Sequence, residues 1–360
     1  MGLRVKFKFK ESHKDEPVLP SNYELKSVFY VITNKCNYEC FFCAQEGGES
    51  KENELNTQEA LNLIRESADT DVKKIIISGG EPTLRKDFDE IIREIKENEM
   101  LTKLCTNGYI LDKKIDMLTR NEVSTIQFSL NSIDKDIYFK MSPKAPSDAF
   151  EKSMENVDLL RDFPGHTVIS SVPLKMNQRV LPEFMDFCYE KEVETFSLYK
   201  PVPTGRGMKT KNKFLTEPEF LDSMDKLLQR FYEYDDKWLV EVEQPYGRFS
   251  KIVKKWEDKI DFNFSGCKAG KLFVAVTPDG YVTPCPGLDM PEFYVGNVRK
   301  ESIKDIWEKQ KNWKYFRENN EIKKECDCEH YDECLGGCRI IAYVENGSIT
   351  SKDPYCKYWI

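Results

Sequence analysis

Apolar and polar positions between Val28 and Lys200 follow two alternating rhythms. Short runs rich in β-branched and aromatic residues, at 29–33, 74–78, 101–105, 125–130, 167–172 and 195–199, predict strands. Between them, apolar residues spaced three and four apart predict helices at 57–68, 88–98, 113–119, 147–160 and 181–190. Thr57 and Ser147 read as N-caps, with Ala60 and Phe150 opening the apolar helical faces. Strands separated by helices imply parallel β/α units with right-handed crossovers. Six such units are too few for a closed eight-strand barrel, but enough for a partial barrel or an open sheet. In either case the loops at the C-terminal ends of the strands are expected to carry the chemistry.

The flanks read differently. Residues 1–27 form an N-terminal extension in which Val5, Phe7 and Phe9 alternate with Lys6, Lys8 and Lys10, predicting a short half-exposed strand. After the β/α region at 28–215, residues 216–262 read as a helical linker, with an amphipathic helix at 217–232. Residues 263–360 show little periodicity apart from a strand–turn–strand at KLFVAVTPDGYVTPC, and a region of that kind needs staples.

Composition narrows the options. Forty per cent hydrophobic and 12% aromatic residues fit a globular chain. A net charge of −8 argues against nonspecific nucleic-acid binding, which rests on a basic face. No apolar run approaches the roughly 18 residues that span a bilayer, and the first residues lack the apolar core of a signal peptide. The expected location is cytoplasmic, with no membrane partner. In a reducing compartment the 12 cysteines are expected to be metal ligands rather than disulfides.

Those cysteines are clustered. Three lie in CNYECFFC (Cys36, Cys40, Cys43), directly after the first predicted strand, and seven lie between Cys267 and Cys356. Thiolates suit iron–sulfur clusters and zinc. A structural zinc site is normally closed by four ligands, whereas three in one loop leave a coordination position open. CNYECFFC resembles the C-x3-C-x-aromatic-C signature of the radical S-adenosylmethionine (radical SAM) enzymes. The resemblance implies a 4Fe–4S cluster held by Cys36, Cys40 and Cys43, with SAM chelating the fourth iron. It also implies cleavage of SAM to methionine and a 5′-deoxyadenosyl radical that abstracts hydrogen from substrate. The implied fold is α/β, a partial (β/α)6 TIM-like barrel.

Further segments match at the ends of successive strands. Gly79-Gly80-Glu81-Pro82 resembles the family's segment that contacts the SAM amino group, and Ser129 and Asn131 match the segment that touches its ribose and carboxylate. Asn131 departs from the commoner aspartate, although an amide still bonds a hydroxyl. The resemblance implies that Phe42 packs against the adenine; the alternative is a core residue beneath the loop. Lys140 matches a basic SAM-carboxylate partner only loosely, and Gly205-Arg206-Gly207 resembles a turn of one branch of the family. Cys105, at the end of the third strand, is a candidate hydrogen donor to a substrate radical, or a small buried hydrophobe. Cys188, on a helix, reads as structural.

The C-terminal cysteines resemble the SPASM extension of radical SAM enzymes, except that Cys326-x-Cys328 is one residue short of the usual spacing. That resemblance implies two auxiliary 4Fe–4S clusters, the first on Cys267, Cys285 and Cys338, the second on Cys326, Cys328, Cys334 and Cys356. Zinc is the rival metal for these spacings. His330 lies in this cluster and reads as a solvent-exposed or outer-sphere residue. SPASM enzymes mostly modify peptides, so the first expectation is a peptide substrate matured by cross-link, thioether or epimerisation. Only about 27 residues precede the first core strand, so the peptide-recognition domain of such enzymes is expected to be absent or supplied by a separate peptide-recognition protein. The second expectation is tetrapyrrole side-chain modification in an alternative haem pathway, and a third is a non-catalytic iron–sulfur or zinc-binding carrier. Either catalytic reading implies a low-potential electron donor such as flavodoxin or ferredoxin.

Overall fold

The computed structural model describes residues 4–9, 23–234, 238–242, 246–318, 320–326, 328 and 331–356, so His13 and His330 lie outside the described residues. Its framework is one sheet. In chain order the strands are β1 (Arg4–Phe9), β2 (Ser27–Val31), β3 (Lys74–Ser78), β4 (Leu101–Thr106), β5 (Thr125–Ser129), β6 (His166–Ser171), β7 (Thr195–Leu198), β8 (Leu239–Val242), β9 (Ile260–Ser265), β10 (Phe273–Val276), β11 (Tyr281–Thr283) and β12 (Gly296–Asn297). They hydrogen-bond in the order β12-β11-β10-β2-β3-β4-β5-β6-β7-β8-β1-β9. Strands β2 to β7 are the six expected parallel strands of a partial (β/α)6 barrel. Two more continue the parallel run, β8 beside β7 and β10 beside β2.

The crossover helices are α1 (Thr57–Ala68), α2 (Phe88–Glu97), α3 (Ile115–Arg120), α4 (Lys135–Met141), α5 (Ala149–Arg161) and α6 (Leu181–Glu190). Helix α4 had no counterpart in the apolar pattern. Two caps shift by one residue. Asn56, not Thr57, caps α1 through a reciprocal pair of bonds with Glu59 (3.0 and 2.8 Å). Asp148, not Ser147, precedes α5.

Strand periodicity sorts the side chains. Val28, Tyr30, Ile75, Ile77, Ile126 and Phe128 are buried in the main hydrophobic core. The alternate positions Phe29, Ile76, Lys103 and Gln127 instead line a cavity inside the curved sheet.

Two expected boundaries need correction. The 216–262 segment is not purely helical. It holds α7 (Glu217–Phe231), then strand β8, α8 (Tyr246–Trp256) and the start of β9. The N-terminal extension is not separate from the fold either, since β1 pairs antiparallel with both β8 and β9. The expected strand–turn–strand near residue 280 is the antiparallel pair β10–β11. No helix among the described residues is long and apolar enough to cross a membrane.

Candidate active site

The strand ends meet at a cavity of about 400 Å³. Its wall includes Cys36, Cys40 and Cys43, and also Cys267, Cys285 and Cys338. The fold thus brings together two cysteine sets more than 200 residues apart in sequence.

The cysteine loop is held from several sides. It is pinned at its base by Cys36 N to Gly48 O (2.7 Å) and Gly48 N to Asn34 O (2.8 Å). Tyr38 N donates to Cys36 Sγ (3.4 Å), and Cys40 Sγ lies 3.0 Å from Ser142 Oγ. Burial pushes the Cys36 thiol up to about 12 and the Cys40 thiol to about 11. Thiolates in such surroundings are favoured by a bound metal, which offsets the burial cost.

Gly79 and Gly80 lie on the cavity wall and explain themselves by contact. A Cβ on Gly79 would sit 2.6 Å from Thr33 O, and one on Gly80 would sit 2.4 Å from Lys35 O and 2.5 Å from Asn34 O. Bare backbone here lets the β3 loop support the chain leading into Cys36. Glu81 and Pro82 are buried, and neither lines the cavity. Glu81 is instead a brace. Its carboxylate accepts from Thr83 N (3.1 Å), Thr83 Oγ1 (2.5 Å), Thr106 Oγ1 (2.8 Å) and Asn107 N (2.7 Å). Burial raises its pKa, and these four donors oppose the rise. Glu81→Gln would turn an amide NH2 toward one of these donors. It is expected to cost about 1–3 kcal/mol of stability, read by denaturant unfolding.

Ser129 and Asn131 also line the cavity. Asn131 Oδ1 accepts from Val172 N (3.0 Å), which leaves the NH2 as its donating end. Phe42 borders the cavity and packs with Met141, Leu174 and Phe214. Cys105 is on the wall, and Cys188 is fully buried in the main core.

Arg206 was legible only as part of a motif. Its backbone N donates to Cys43 O (3.0 Å), its Nε to Cys40 O (2.9 Å) and its Nη1 to Gly47 O (2.9 Å). Gly205 and Gly207 make this approach feasible. Gly205 has φ +54°, and a Cβ on it would meet Cys43 O at 2.8 Å, while one on Gly207 would meet Val202 O at 2.5 Å. The GRG turn is therefore a clasp on the cysteine loop.

At the back, buried Asp353 accepts from Cys338 N (2.7 Å) and Tyr355 N (2.9 Å). Burial pushes Cys285 up to about 12 and Cys326 to about 11, and Cys328 and Cys356 lie near enough to Cys326 to influence it. Nothing in the sequence pattern pointed to Ser142 or Asp353, because each meets its cysteine from a distant segment.

Comparison with known proteins bears on these observations. The radical SAM superfamily model matches residues 30–188, and the SPASM iron–sulfur cluster-binding domain matches 267–334. The chain is 27% identical over 349 residues to the AdoMet-dependent heme synthase of Methanosarcina barkeri, covering 92% of this chain and 96% of the relative. A protein of the same name from Nitratidesulfovibrio vulgaris is 26% identical, covering 92% of each. In fold it resembles Streptococcus suis SuiB bound to S-adenosylmethionine (TM-score 0.74, 18% identity, 93% of this chain, 78% of that one). It also resembles native anSMEcpe with bound AdoMet (TM-score 0.70, 18% identity, 93% and 94%).

The expectation of a peptide substrate is corrected here. The curated relatives that align over nearly the whole chain carry the name heme synthase, and the likeness to SuiB is one of fold. The cofactors are SAM and iron–sulfur clusters. With cysteine loop and back cysteines converging on one cavity, and both domains matched in order, the chain is a radical SAM enzyme with a C-terminal SPASM iron–sulfur domain.

Proposed function

We propose that this enzyme modifies a side chain of a tetrapyrrole in an alternative route of haem synthesis. The observation that carries the reading is the charge of the cavity. Lys103, Lys200, Arg206 and Arg339 stand on its wall, and among the described residues no Asp or Glu does. Phe29, Phe273 and Leu288 supply apolar surface in the same space. An apolar ring bearing carboxylates suits a wall that is both basic and apolar. The heme synthase relatives support the same substrate class.

In this reading Cys36, Cys40 and Cys43 hold one 4Fe–4S cluster, and SAM lies against Gly79, Gly80, Phe42, Ser129 and Asn131. Cys267, Cys285 and Cys338 hold a second cluster, and Cys326, Cys328, Cys334 and Cys356 a third. The donor chemistry fits, since the six cysteines of the first two groups stand on the wall of one cavity and soft thiolates are the ligands iron–sulfur clusters take. When bound, the first cluster and SAM supply a 5′-deoxyadenosyl radical. The chain's own residues orient the reactants and exclude water, and Cys105 is on the same wall. A low-potential flavodoxin or ferredoxin would supply electrons.

The test is anaerobic turnover with SAM, reductant and a carboxylated iron tetrapyrrole. Expected are 5′-deoxyadenosine and a tetrapyrrole of altered mass in matching amounts. SAM cleavage that leaves every tetrapyrrole offered unchanged would overturn the substrate class.

A further inference from the structure

The outer side of the cysteine loop carries a charge opposite to that of the chain. Phe41 and Phe42 pack into a small apolar cluster with Met141, Leu174, Phe214 and Val172. Three segments supply that cluster, 139–146, 172–180 and 199–214. Together they hold nine basic residues and no acidic one, in a chain with 62 acidic against 54 basic residues; two of the nine, Lys200 and Arg206, stand on the cavity wall, and seven remain for the outer side. Lys140, Lys144, Lys175, Arg179, Lys209 and Lys211 are exposed. Lys144 pairs with Glu39 (2.8 Å) and Lys211 with Glu345 (2.6 Å), and Lys175 lies near enough to Glu219 to help hold its carboxyl below the usual range.

The basic surface touches the cysteine loop itself. Arg206 bonds Cys40 O and Cys43 O, Thr210 Oγ1 lies 3.5 Å from Phe41 O, and Lys213 Nζ stands 4.0 Å from the centre of the Phe41 ring. Lys175 is tied to the same strip, its N to Lys213 O (3.0 Å) and its Nζ to Asn212 O (3.1 Å). At the tip, Met208 is 53% exposed amid these charges. A charged field around an apolar contact residue suits a transient protein partner, with the charges steering encounter and the methionine making contact.

We propose that this face, centred on Lys175, Met208 and Lys209, docks a small acidic one-electron carrier protein of low potential. The inference rests on the radical SAM assignment and not on the tetrapyrrole substrate. Charge complementarity selects an acidic partner, and direct bonding to the cysteine loop selects one whose business is with the cluster. Each encounter moves one electron. The carrier is oxidised by one electron, the iron–sulfur group of the loop is reduced by one, and no bond or proton changes hands.

The experiment uses the reconstituted full-length enzyme, a flavodoxin as probe, and a Lys175→Glu/Lys209→Glu variant. Flavodoxin binding is measured by titration calorimetry at low and raised salt. SAM cleavage without tetrapyrrole is then driven by reduced flavodoxin or by dithionite. Expected is a loss of affinity on the order of tenfold in the variant, a weaker salt dependence, and a matching loss of flavodoxin-driven cleavage. Dithionite-driven cleavage should be unchanged. Unchanged flavodoxin affinity, or equal loss with both reductants, would overturn the docking assignment. A Met208→Ser variant, which keeps every charge, should weaken binding without altering its salt dependence, and a lack of effect would remove Met208 from the contact.

Discussion

Replacing Cys40 with alanine is expected to reduce 5′-deoxyadenosine formation to background while leaving a folded protein that still carries iron. Cys40 sits in the middle of the loop, its sulfur against Ser142 and its carbonyl bound by Arg206. The substitution removes one of three thiolates and little else. The loop's pins at Cys36, Gly48 and Asn34 are backbone bonds and remain. Iron on the back cysteines should persist, so total iron falls only in part. The measurements are iron content, SAM cleavage under dithionite and a thermal melt on the same preparation. Cleavage at the wild-type level would remove the three-cysteine loop from the chemistry.

Arg206→Ala is expected to be the next most damaging single change. Two hydrogen bonds to the loop carbonyls of Cys40 and Gly47 vanish, and with them a positive charge that favours the Cys40 thiolate. Outer-sphere substitutions around metal ligands typically cost roughly 10–100-fold in metal affinity or activity, and the lower half of that range is expected here because the backbone bond from residue 206 to Cys43 survives. Arg206→Lys separates the two contributions. Lysine keeps the charge and loses the planar fork that reaches two carbonyls. If charge dominates, lysine should restore the reduction potential of the loop's cluster. If geometry dominates, the potential and the electron paramagnetic resonance signal should stay displaced. A normal potential and full iron in Arg206→Ala would show that the clasp is dispensable.

The main run of β/α units was legible because each strand and helix declares itself within a few residues. The second to sixth strands and their helices differ from expectation by two residues or fewer at each boundary. What escaped depends on distance along the chain. LVEV at 239–242 is too short a run to announce a strand, and its place beside β7 is a tertiary choice. The same holds for β10 beside β2. In the site, the cysteines and glycines were visible as spacings. The glycines' partners were not, since Gly80 is required by the carbonyls of Asn34 and Lys35. Glu81 was read as a cofactor contact because motif matching cannot tell which way a side chain turns. Its four donors come from its own turn and from the end of β4. The substrate class was underdetermined for a related reason. The cavity's cations come from β4, the end of β7, the GRG turn and the C-terminal domain, and no local stretch looks like an anion site.

The parallel pairing of β2 with β10 also sets a timetable for biosynthesis. β2 ends at Val31 and its outer neighbour begins at Phe273. At translation rates of about 5–20 residues per second, some 240 residues of further synthesis leave that strand edge uncovered for roughly 12–50 s. An exposed apolar strand edge is a template for pairing with another chain. The nascent polypeptide is therefore most vulnerable before its last quarter has emerged. Premature termination or truncation near residue 262 would make that hazard permanent. Chaperone cover during elongation is the condition under which overproduction should succeed.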